Sequence, residues 1–245
     1  MDGPMQGGNM NAVIRAGNTV TRMAGPWTPT IHRYLDWLAN AGIDWIPRAI
    51  GVDGDREVLS FLEGEVPVYP LPEWVWTDEA LRDAGRHLRA LHDASVGFDT
   101  TDAIWQWQAA EPTEVICHND FAPHNLVFRD GRVIGAIDFD LCTPGPRVAD
   151  LANLATRMIP LTSEWHAGAV REDQWRRRIQ LLLDSYGTDA DWLDVVRRAV
   201  DRLRAEAAFT RAKADELRKP ELVDDAALYE RDVVHLEGFL RSALD

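Results

Sequence analysis

Several common signatures of enzyme chemistry are absent from this chain of 245 residues. It has no Gly-x-x-x-x-Gly-Lys-Ser/Thr loop, no His-Glu-x-x-His motif and no Gly-x-Ser-x-Gly motif. These absences exclude the usual P-loop nucleotide sites, zinc-protease helices and serine-hydrolase elbows. No apolar run approaches the roughly 18 residues that a membrane-spanning helix requires. Any enzymatic function must therefore use a different arrangement of residues, and we expect no membrane partner.

Positive charge and cysteine are both scarce. The chain has 26 Lys and Arg residues against 40 Asp and Glu residues, a formal net charge of −14 at pH 7. Such a surface repels nucleic acids and anionic membranes and is compatible with a cationic substrate. The cysteines, Cys117 and Cys142, form no Cys-x-x-Cys pair, and no basic segment followed by an apolar core marks a secretory signal. We therefore expect a cytoplasmic protein with no nucleic-acid partner.

The first 62 residues have the pattern of a small lobe. Two strand-like runs flank a small-residue turn at 16–18, and two more flank Asp53-Gly54, a strong hairpin signal. Between the hairpins, apolar residues recur at helical spacing after a cap at Thr28 or Thr30. The order hairpin, helix, hairpin predicts a lobe over residues 1–62.

The rest of the chain is mostly helical in pattern. Residues 63–76 contain Pro and Gly and predict a connector, whereas residues 77–245 hold long helical patterns and a few short apolar runs broken by turns. With 46% hydrophobic residues, the chain can bury a sizeable core. These patterns predict an α+β protein in two lobes.

One stretch carries most of the chemical information. Its residues are His118-Asn119-Asp120-Phe121-Ala122-Pro123-His124-Asn125, and Asp138 follows thirteen residues after Asn125. Phosphoryl transfer from ATP needs one carboxylate to orient the attacking hydroxyl, and an amide and a second carboxylate to hold Mg²⁺. Asn125 follows Asp120 by five residues, the spacing of the kinase pattern H-R-D-x-x-x-x-N. The spacing therefore predicts Asp120, Asn125 and Asp138 as these three groups.

The stretch from 117 to 152, with Pro144-Gly145-Pro146 and Asp150-Leu151-Ala152, resembles the aminoglycoside phosphotransferase and choline kinase superfamily. The resemblance implies a protein-kinase-like fold, with a reduced N-terminal β lobe and a mostly helical C-terminal lobe. It also implies ATP or GTP with Mg²⁺ as cofactors and a small-molecule hydroxyl as acceptor. Antibiotics are among the substrates of this superfamily, so antibiotic resistance is one expected role.

Roles for individual residues follow from the same resemblance. It implies Asp120 as the catalytic base, Asn125 and Asp138 as Mg²⁺ ligands, and His118 and Asp150 as braces of the catalytic loop. An alternative for Asp150 is a plain helix N-cap. Asp140 stands where protein kinases have Gly, which is typical of the small-molecule branch.

The nucleotide lobe departs from the family pattern. The family places a lysine on a strand to hold the phosphates, whereas this chain has only Lys213 and Lys219, both in C-terminal helical patterns. Arg22, in a strand-like run, is the expected replacement because its guanidinium carries a permanent charge and a fork suited to phosphate. The alternative is an exposed strand arginine. Asp36 is the acid in the following helix that would pair with it.

Other nucleotide contacts are implied only by the resemblance. Phe61, Leu62 and Glu63 fall where the hinge offers backbone groups to the base. Gly7-Gly8 is either a shortened phosphate-covering loop or a flexible start. Since so few residues precede it, we expect the first strand of the usual lobe to be missing.

The acceptor is not defined by the sequence. Trp105 and Trp107 are candidates for an aromatic substrate wall, although such residues more often belong to a core. A pocket between the catalytic loop and the C-terminal helices would bind an amine-bearing substrate through acidic side chains. The candidate acids are Asp140, Glu164, Glu172 and Asp173.

Three functional hypotheses remain at this point. The first is an ATP-dependent kinase that phosphorylates a hydroxyl of a small molecule. The second keeps the fold without catalysis, as a nucleotide-binding or sequestering protein for self-immunity, because the strand lysine is missing. The third is a metallohydrolase with His118, Asp120, His124 and Asp138 as metal ligands. The sequence sets no oligomeric state.

Overall fold

A computed structural model describes residues 3–4, 13–162 and 170–244 of the chain. Its N-terminal strands are β1 (Gly3–Pro4), β2 (Ile14–Ala16), β3 (Thr19–Met23), β4 (Ala49–Asp53) and β5 (Arg56–Ser60). They form one antiparallel sheet in the order β1-β2-β3-β5-β4. The expectation that the first strand is missing is therefore wrong. β1 is only two residues long, so it has no alternation that a sequence pattern could reveal.

Helix α1 (Thr28–Asn40) connects β3 to β4. It buries Ile31, Tyr34, Leu35 and Leu38, which share one helical face. The cap residue is Trp27, and among the described residues no side chain caps this helix. The predicted cap at Thr28 or Thr30 is therefore wrong, because both residues lie inside the helix.

The connector after β5 is fastened to the following part of the chain. Glu65 and Phe128 exchange backbone hydrogen bonds of 2.8 and 2.7 Å. A one-turn 3-10 helix at Glu73–Trp76 then buries Val75 completely. The lobe boundaries at residues 62 and 76 stay a prediction.

The C-terminal part is built from five helices of the described chain. Helix α2 begins after Thr77, whose hydroxyl accepts a hydrogen bond from the Ala80 amide at 3.2 Å. Within its apolar face, Leu81, Leu88 and Leu91 are fully buried, and each contributes about 1.5–3 kcal/mol. None of the described helices is long and apolar enough to cross a lipid bilayer. The helices are α2 (Asp78–Ser95), α3 (Arg147–Met158), α4 (Trp175–Tyr186), α5 (Trp192–Leu217) and α6 (Glu221–Leu244).

Two small sheets lie between α2 and α3. Strand β6 (Val115–Cys117) pairs with β9 (Thr143–Gly145), and β7 (Leu126–Arg129) pairs with β8 (Arg132–Ala136). The Ile137 amide then donates a 2.9 Å hydrogen bond to the carbonyl of Asn125. The β7–β8 hairpin therefore brings the 118–125 loop next to residues 137–140.

Candidate active site

Asp120 lies at the centre of the 118–125 loop. Its Oδ2 accepts a 2.7 Å hydrogen bond from Nδ2 of Asn125 and lies 3.4 Å from Nε2 of His124. The same Asn125 nitrogen donates to the Asp120 carbonyl at 3.0 Å. Because the amide nitrogen makes both bonds, Oδ1 of Asn125 is left for a different partner. The structure thus brings together the predicted base and one predicted metal ligand.

The charge state of Asp120 is set by its surroundings. Burial by itself raises the pKa of this carboxyl, but the hydrogen bond and charge of His124 and the charge of Arg157 outweigh it and hold the pKa well below its usual range. The side chain is still 27% exposed. Asp120 is therefore an ionised carboxylate that solvent, and so a substrate, can reach.

His118 is completely buried beneath this loop. Its Nε2 lies 3.1 Å from the carbonyl of Ile137, and its Nδ1 accepts a 3.3 Å hydrogen bond from the Asp120 amide. In this pattern Nδ1 is the acceptor and Nε2 donates to the Ile137 carbonyl. His118 therefore joins the loop to the segment that carries Asp138, as a brace would.

Asp150 holds the loop from the other side. Its fully buried carboxylate accepts hydrogen bonds from the His118 amide at 2.6 Å, the Asn119 amide at 2.7 Å and Nε2 of His92 at 2.9 Å. Helix α3 begins three residues earlier, at Arg147, so the plain N-cap interpretation of Asp150 is wrong. These bonds fix Asn119 in the left-handed region at φ 62°, which costs a residue other than glycine about 1 kcal/mol or more.

His92 is a site residue that sequence analysis missed. Its Nδ1 lies 2.8 Å from the Tyr186 hydroxyl, which accepts a 3.0 Å hydrogen bond from Arg147. His92 is fully buried on α2 and follows Leu88 by four residues. A histidine on the apolar face of a helix is the signal that could have found it.

The metal-ligand set of the metallohydrolase hypothesis does not assemble. In the described part of the chain, the group whose potential ligand atoms all lie within 4.8 Å of one another is His92, Cys117 and Asp150. That group is the buried brace itself: Cys117 donates from Sγ to the Pro146 carbonyl at 3.3 Å, and burial raises the pKa of its thiol. Because both ring nitrogens of His118 are also engaged, the geometry argues against a catalytic metal centre of this kind.

Arg22 forms a second centre. Its guanidinium donates from Nε to Glu57 at 2.5 Å, from Nη1 to Asp138 at 2.7 Å and from Nη2 to Asp140 at 2.5 Å. The residue is 8% exposed, so the exposed-arginine alternative is wrong. The name Arg22 cluster is used below for Arg22, Glu57, Asp138 and Asp140.

The partner of Arg22 differs from the expected one. Glu57 lies directly opposite Arg22 in the antiparallel pair of β3 and β5, is 1% exposed, and also lies 2.9 Å from Nε2 of His32 on α1. Asp36 lies exposed on α1. The predicted pairing of Arg22 with Asp36 is therefore wrong. Which residues of β3 and β5 lie opposite each other depends on the register of the sheet. The helical pattern of α1 gives no information about that register.

Negative charge exceeds positive charge in the Arg22 cluster. Burial by itself lowers the pKa of Arg22, but Asp138, Asp140 and Glu57 together raise it above its usual range. Burial also raises the pKa of Asp140 to about 7, opposed by Arg22 and assisted by Asp138 and Glu57. Asp140 thus lies with the other carboxylates around Arg22, which does not support the predicted role in substrate binding.

Asp138 and Asn125 are the residues that fit a metal ion. Asp138 has φ 63° and a side chain that is 44% exposed, and its Oδ1 is the atom that Arg22 binds. A carboxylate oxygen and an amide oxygen are donors that Mg²⁺ accepts. The donor chemistry therefore fits the predicted Mg²⁺, with Arg22 as a neighbour of the same carboxylate.

The predicted hinge already uses part of its polar backbone. The Phe61 amide donates to the Asn18 carbonyl at 2.8 Å, and the Glu63 carbonyl accepts from Arg129 at 3.2 Å. The guanidinium of Arg15 lies 3.5 Å from the centre of the Phe61 ring. Leu62 lies between these two residues and is partly buried. Gly7 and Gly8 lie outside the described residues.

The two candidate tryptophans lie in different surroundings. Trp107 contacts Phe209 edge-on at 5.1 Å and lies 4.3 Å beneath the guanidinium of Arg202, which donates to the Asn119 carbonyl at 2.7 Å. Trp105 instead packs against Phe98 at 6.4 Å. Trp107 is therefore linked to the 118–125 loop.

Of the other candidate acids, Glu172 lies 3.4 Å from His235, Asp173 pairs with Arg171, and Glu164 is outside the described residues.

The five-stranded sheet, the helical C-terminal part and the ordered Asp, Asn and Asp place this chain in the protein-kinase-like class of folds. Residues 96–182 match the phosphotransferase enzyme family. The chain is also 34% identical over 194 residues to the trifolitoxin immunity protein of Rhizobium leguminosarum bv. trifolii, a match that covers 75% of this chain and 73% of that protein. The chain belongs to the phosphotransferase enzyme family.

Solved structures support the fold. An ethanolamine kinase from Plasmodium vivax superposes with a TM-score of 0.72 at 12% identity, covering 96% of this chain and 82% of that one. Aminoglycoside 2'-phosphotransferase-IIIa in complex with GDP gives a TM-score of 0.66 at 13% identity, covering 96% and 92%. At such identities the likeness shows the fold alone. It confirms the predicted protein-kinase-like α+β fold. The predicted family is confirmed by the match of residues 96–182 to the phosphotransferase enzyme family.

Proposed function

We propose that this chain is a kinase that transfers the γ-phosphoryl group of ATP or GTP to a hydroxyl of a small molecule. One observation carries the proposal: Asn125 donates to the Asp120 carboxylate at 2.7 Å and accepts at its carbonyl from Ile137, the residue before Asp138. The base and both metal ligands therefore belong to one connected group, as this reaction requires.

The proposed chemistry assigns one task to each residue. Asp120 accepts a hydrogen bond from the acceptor hydroxyl and directs its oxygen at the γ-phosphorus. A bond forms between these two atoms while the bond from phosphorus to the bridging oxygen breaks, which releases the nucleoside diphosphate, and the hydroxyl proton passes to Asp120. Asn125 and Asp138 would hold Mg²⁺, which neutralises phosphate charge when it is bound.

The remaining proposed roles lie on the nucleotide side. Arg22 takes the place of the family lysine toward the phosphates, and residues 61–63 meet the base. His118 and Asp150 keep the 118–125 loop in its reactive geometry. In this proposal, residues 1–62 form the nucleotide lobe, residues 63–76 the hinge and residues 77–245 the catalytic lobe. The expected location is the cytoplasm, where Mg²⁺ and nucleotides are supplied.

The proposal is tested by incubating the purified chain with labelled ATP or GTP, Mg²⁺ and a panel of aminoglycosides, macrolides, choline and nucleosides. Transfer of label to an organic acceptor is the expected result, and it should be lost in Asp120→Asn. Absence of transfer over a broad panel, with folded protein that binds Mg-nucleotide, would overturn the proposal.

A second candidate function is immunity by sequestration without catalysis. Two observations favour it: the similarity to the trifolitoxin immunity protein, and an Arg22 already bound by three carboxylates. Protection of sensitive cells from an antibiotic or toxin would be retained by Asp120→Asn in this case. If protection instead disappears with that substitution, the role is resistance by phosphorylation.

A further inference from the structure

Helix α1 contacts the Arg22 cluster through His32 rather than through Asp36. His32 lies four residues before Asp36, which is about one helical turn. Its Nε2 lies 2.9 Å from Oε2 of Glu57, and the other oxygen of Glu57 accepts the 2.5 Å hydrogen bond from Nε of Arg22. The helix therefore contributes a nitrogen to the cluster, and the acid that pairs with the arginine comes from strand β5.

Glu57 is a buried carboxylate with one donor for each of its oxygens. Because the side chain is buried, water cannot complete its hydrogen bonding. A carboxylate only accepts hydrogen bonds, so His32 donates to it through Nε2. Without His32, Oε2 would be left in a buried position with no donor among the described residues, which is costly.

The donors of Glu57 determine how many N–H groups of Arg22 stay available. A guanidinium has five N–H groups. Arg22 uses one at Nε for Glu57, one at Nη1 for Asp138 and one at Nη2 for Asp140. Within the part of the chain that the structure describes, this leaves one N–H on each terminal nitrogen. These are the N–H groups that remain for phosphate oxygens next to the partly exposed Asp138.

The pairing of Arg22 with Glu57 is single, although the geometry of the two groups favours a fork. In a fork, Nε and one terminal nitrogen bind the two carboxylate oxygens through parallel hydrogen bonds. Here Oε2 is already bound by His32, so Glu57 takes Nε alone. If His32 had no donor, Glu57 would be expected to take a second N–H from Arg22. That N–H would then be lost to the phosphates.

We propose, building on the proposed kinase function, that Glu57 and His32 are positioning residues for the nucleotide. Glu57 fixes the plane of the Arg22 guanidinium through Nε, and His32 limits Glu57 to that single N–H. The terminal nitrogens of Arg22 are thereby kept for the phosphates. Neither positioning residue touches the reacting atoms, and both act through Arg22.

The test measures the affinity of the full chain for Mg-ATP and Mg-GTP by calorimetry, so that no acceptor is needed. His32→Phe keeps an aromatic ring but has no donor. It should weaken binding of the preferred nucleotide roughly tenfold, about the value of one hydrogen bond to a charged group. His32→Gln carries an N–H at a position similar to Nε2 and should retain most of the affinity.

His235→Phe is the matched control for removal of a histidine. Its Nε2 lies 3.4 Å from the carboxylate of Glu172, and its side chain is also partly exposed. This pair joins α6 to the segment before α4 and has no contact with Arg22 among the described residues. His235→Phe should therefore bind nucleotide like the wild type.

A second background shows whether His32 acts through Arg22. A lysine ammonium has no plane to be oriented. In Arg22→Lys, the further change His32→Phe should therefore alter nucleotide affinity by less than about twofold. A full tenfold loss in that background would overturn the inference. If His32→Phe fails to fold, His32→Asn replaces it, because the shorter amide does not reach Glu57, and an affinity equal to that of His32→Gln would also overturn the inference.

The outcomes separate this inference from the kinase proposal. If the affinities follow the expected pattern but no label is transferred to an acceptor, the positioning role holds and the kinase function is wrong. If label is transferred while His32→Phe binds nucleotide as tightly as the wild type, the inference is wrong and the kinase stands. The same holds if His32→Gln loses as much affinity as His32→Phe. A folded wild type that binds neither nucleotide overturns both.

Discussion

The 118–125 loop and the Arg22 cluster differ in how far apart in sequence their interacting residues are. In the loop, the chemically important partners are close in sequence, as Asn125 and Asp120 are five residues apart. In the cluster, Arg22 meets Glu57, Asp138 and Asp140 across separations of 35, 116 and 118 residues. A reaction that needs fixed geometry around one hydroxyl constrains the local spacing, whereas a positive charge near phosphates can be supplied in several ways.

The two regions also differ in charge balance. Asp150, at the base of the loop, is matched by three donors, and the loop is therefore held without any ligand. The Arg22 cluster has three carboxylates for one guanidinium, an excess that a bound cation such as the proposed Mg²⁺ would neutralise. Changes in the loop should therefore affect the chemical step first, and changes in the cluster should affect stability and cation binding first.

The largest effect is expected from Asp120→Asn. The substitution keeps an oxygen that can accept from Asn125 but removes the charge that orients and accepts the proton of the hydroxyl, so turnover should fall about 10²- to 10⁴-fold. Diphosphate release in the presence of an acceptor is the measurement. Melting temperature and Mg-nucleotide affinity should match the wild type. Turnover close to the wild-type value would show that Asp120 does not take part in the chemical step. The loop would then not differ from the Arg22 cluster in its effect on catalysis.

Arg22→Met tests the other side of the comparison. It leaves the buried Glu57 and Asp140 without their shared cation, and the free energy of unfolding should fall by about 3–5 kcal/mol, as when one partner of a buried ion pair is removed. Urea unfolding measures the loss, and Arg22→Lys should lose less because a charge remains.

A further measurement sharpens the test of Arg22. Added Mg²⁺ should stabilise Arg22→Met more than it stabilises the wild type, since the cation would balance carboxylates that have lost the guanidinium. The exposed Arg171→Met provides the control for charge removal alone. An unchanged unfolding free energy in Arg22→Met would show that the carboxylates are not held by this arginine.

The comparison also explains how much the sequence could predict. Helix α2 begins after Thr77, as local capping indicates. The β4–β5 turn lies at Gly54-Asp55, one residue after the predicted Asp53-Gly54. The sequence also predicts that Asp120 and Asn125 act together, because both lie on one short loop. These features depend on residues a few positions apart.

What could not be predicted depends on register and tertiary packing. Glu57 became the partner of Arg22 through the pairing of β3 with β5, and His92 reached Asp150 through the packing of α2 near α3. Arg157 meets Tyr229 of α6 across the helical part of the protein. No spacing in the sequence indicates such contacts, which is why the sequence predicts Asp36 in place of Glu57 and gives no signal for Arg157.

Asp150→Asn is expected to have an intermediate effect. An amide offers one acceptor oxygen where the carboxylate serves three donors, so the free energy of unfolding should fall by about 1–3 kcal/mol. Burial by itself raises the pKa of Asp150, but His92 and His118 outweigh it and lower the pKa below the ordinary value of 3.8. The stabilisation by the carboxylate is thus fully present above pH 3.8 and is lost as the pH falls below it toward the folded-state pKa.

The measurement for Asp150→Asn is urea unfolding of both proteins over a pH series. The difference between wild type and variant should be constant from neutral pH down to about 3.8 and should shrink only below that value. The exposed Asp173→Asn controls for removal of a carboxylate as such. If the difference in unfolding free energy were already lost in mildly acidic solution, Asp150 would not be ionised in the folded state. Asp150 would then resemble Asp140 of the Arg22 cluster, whose pKa is raised to about 7.

The smallest expected effect separates the two tryptophans. Trp107 supports Arg202 through a contact of 4.3 Å, an interaction worth about 0.5–1 kcal/mol near the surface. Because Arg202 binds the Asn119 carbonyl, Trp107→Leu should raise the acceptor KM by roughly two- to fivefold with little loss of stability. Trp105→Leu should instead lower the melting temperature and leave KM unchanged, since Trp105 packs against Phe98. Equal effects of the two substitutions on KM would show that the position of Arg202 does not depend on its contact with the Trp107 ring.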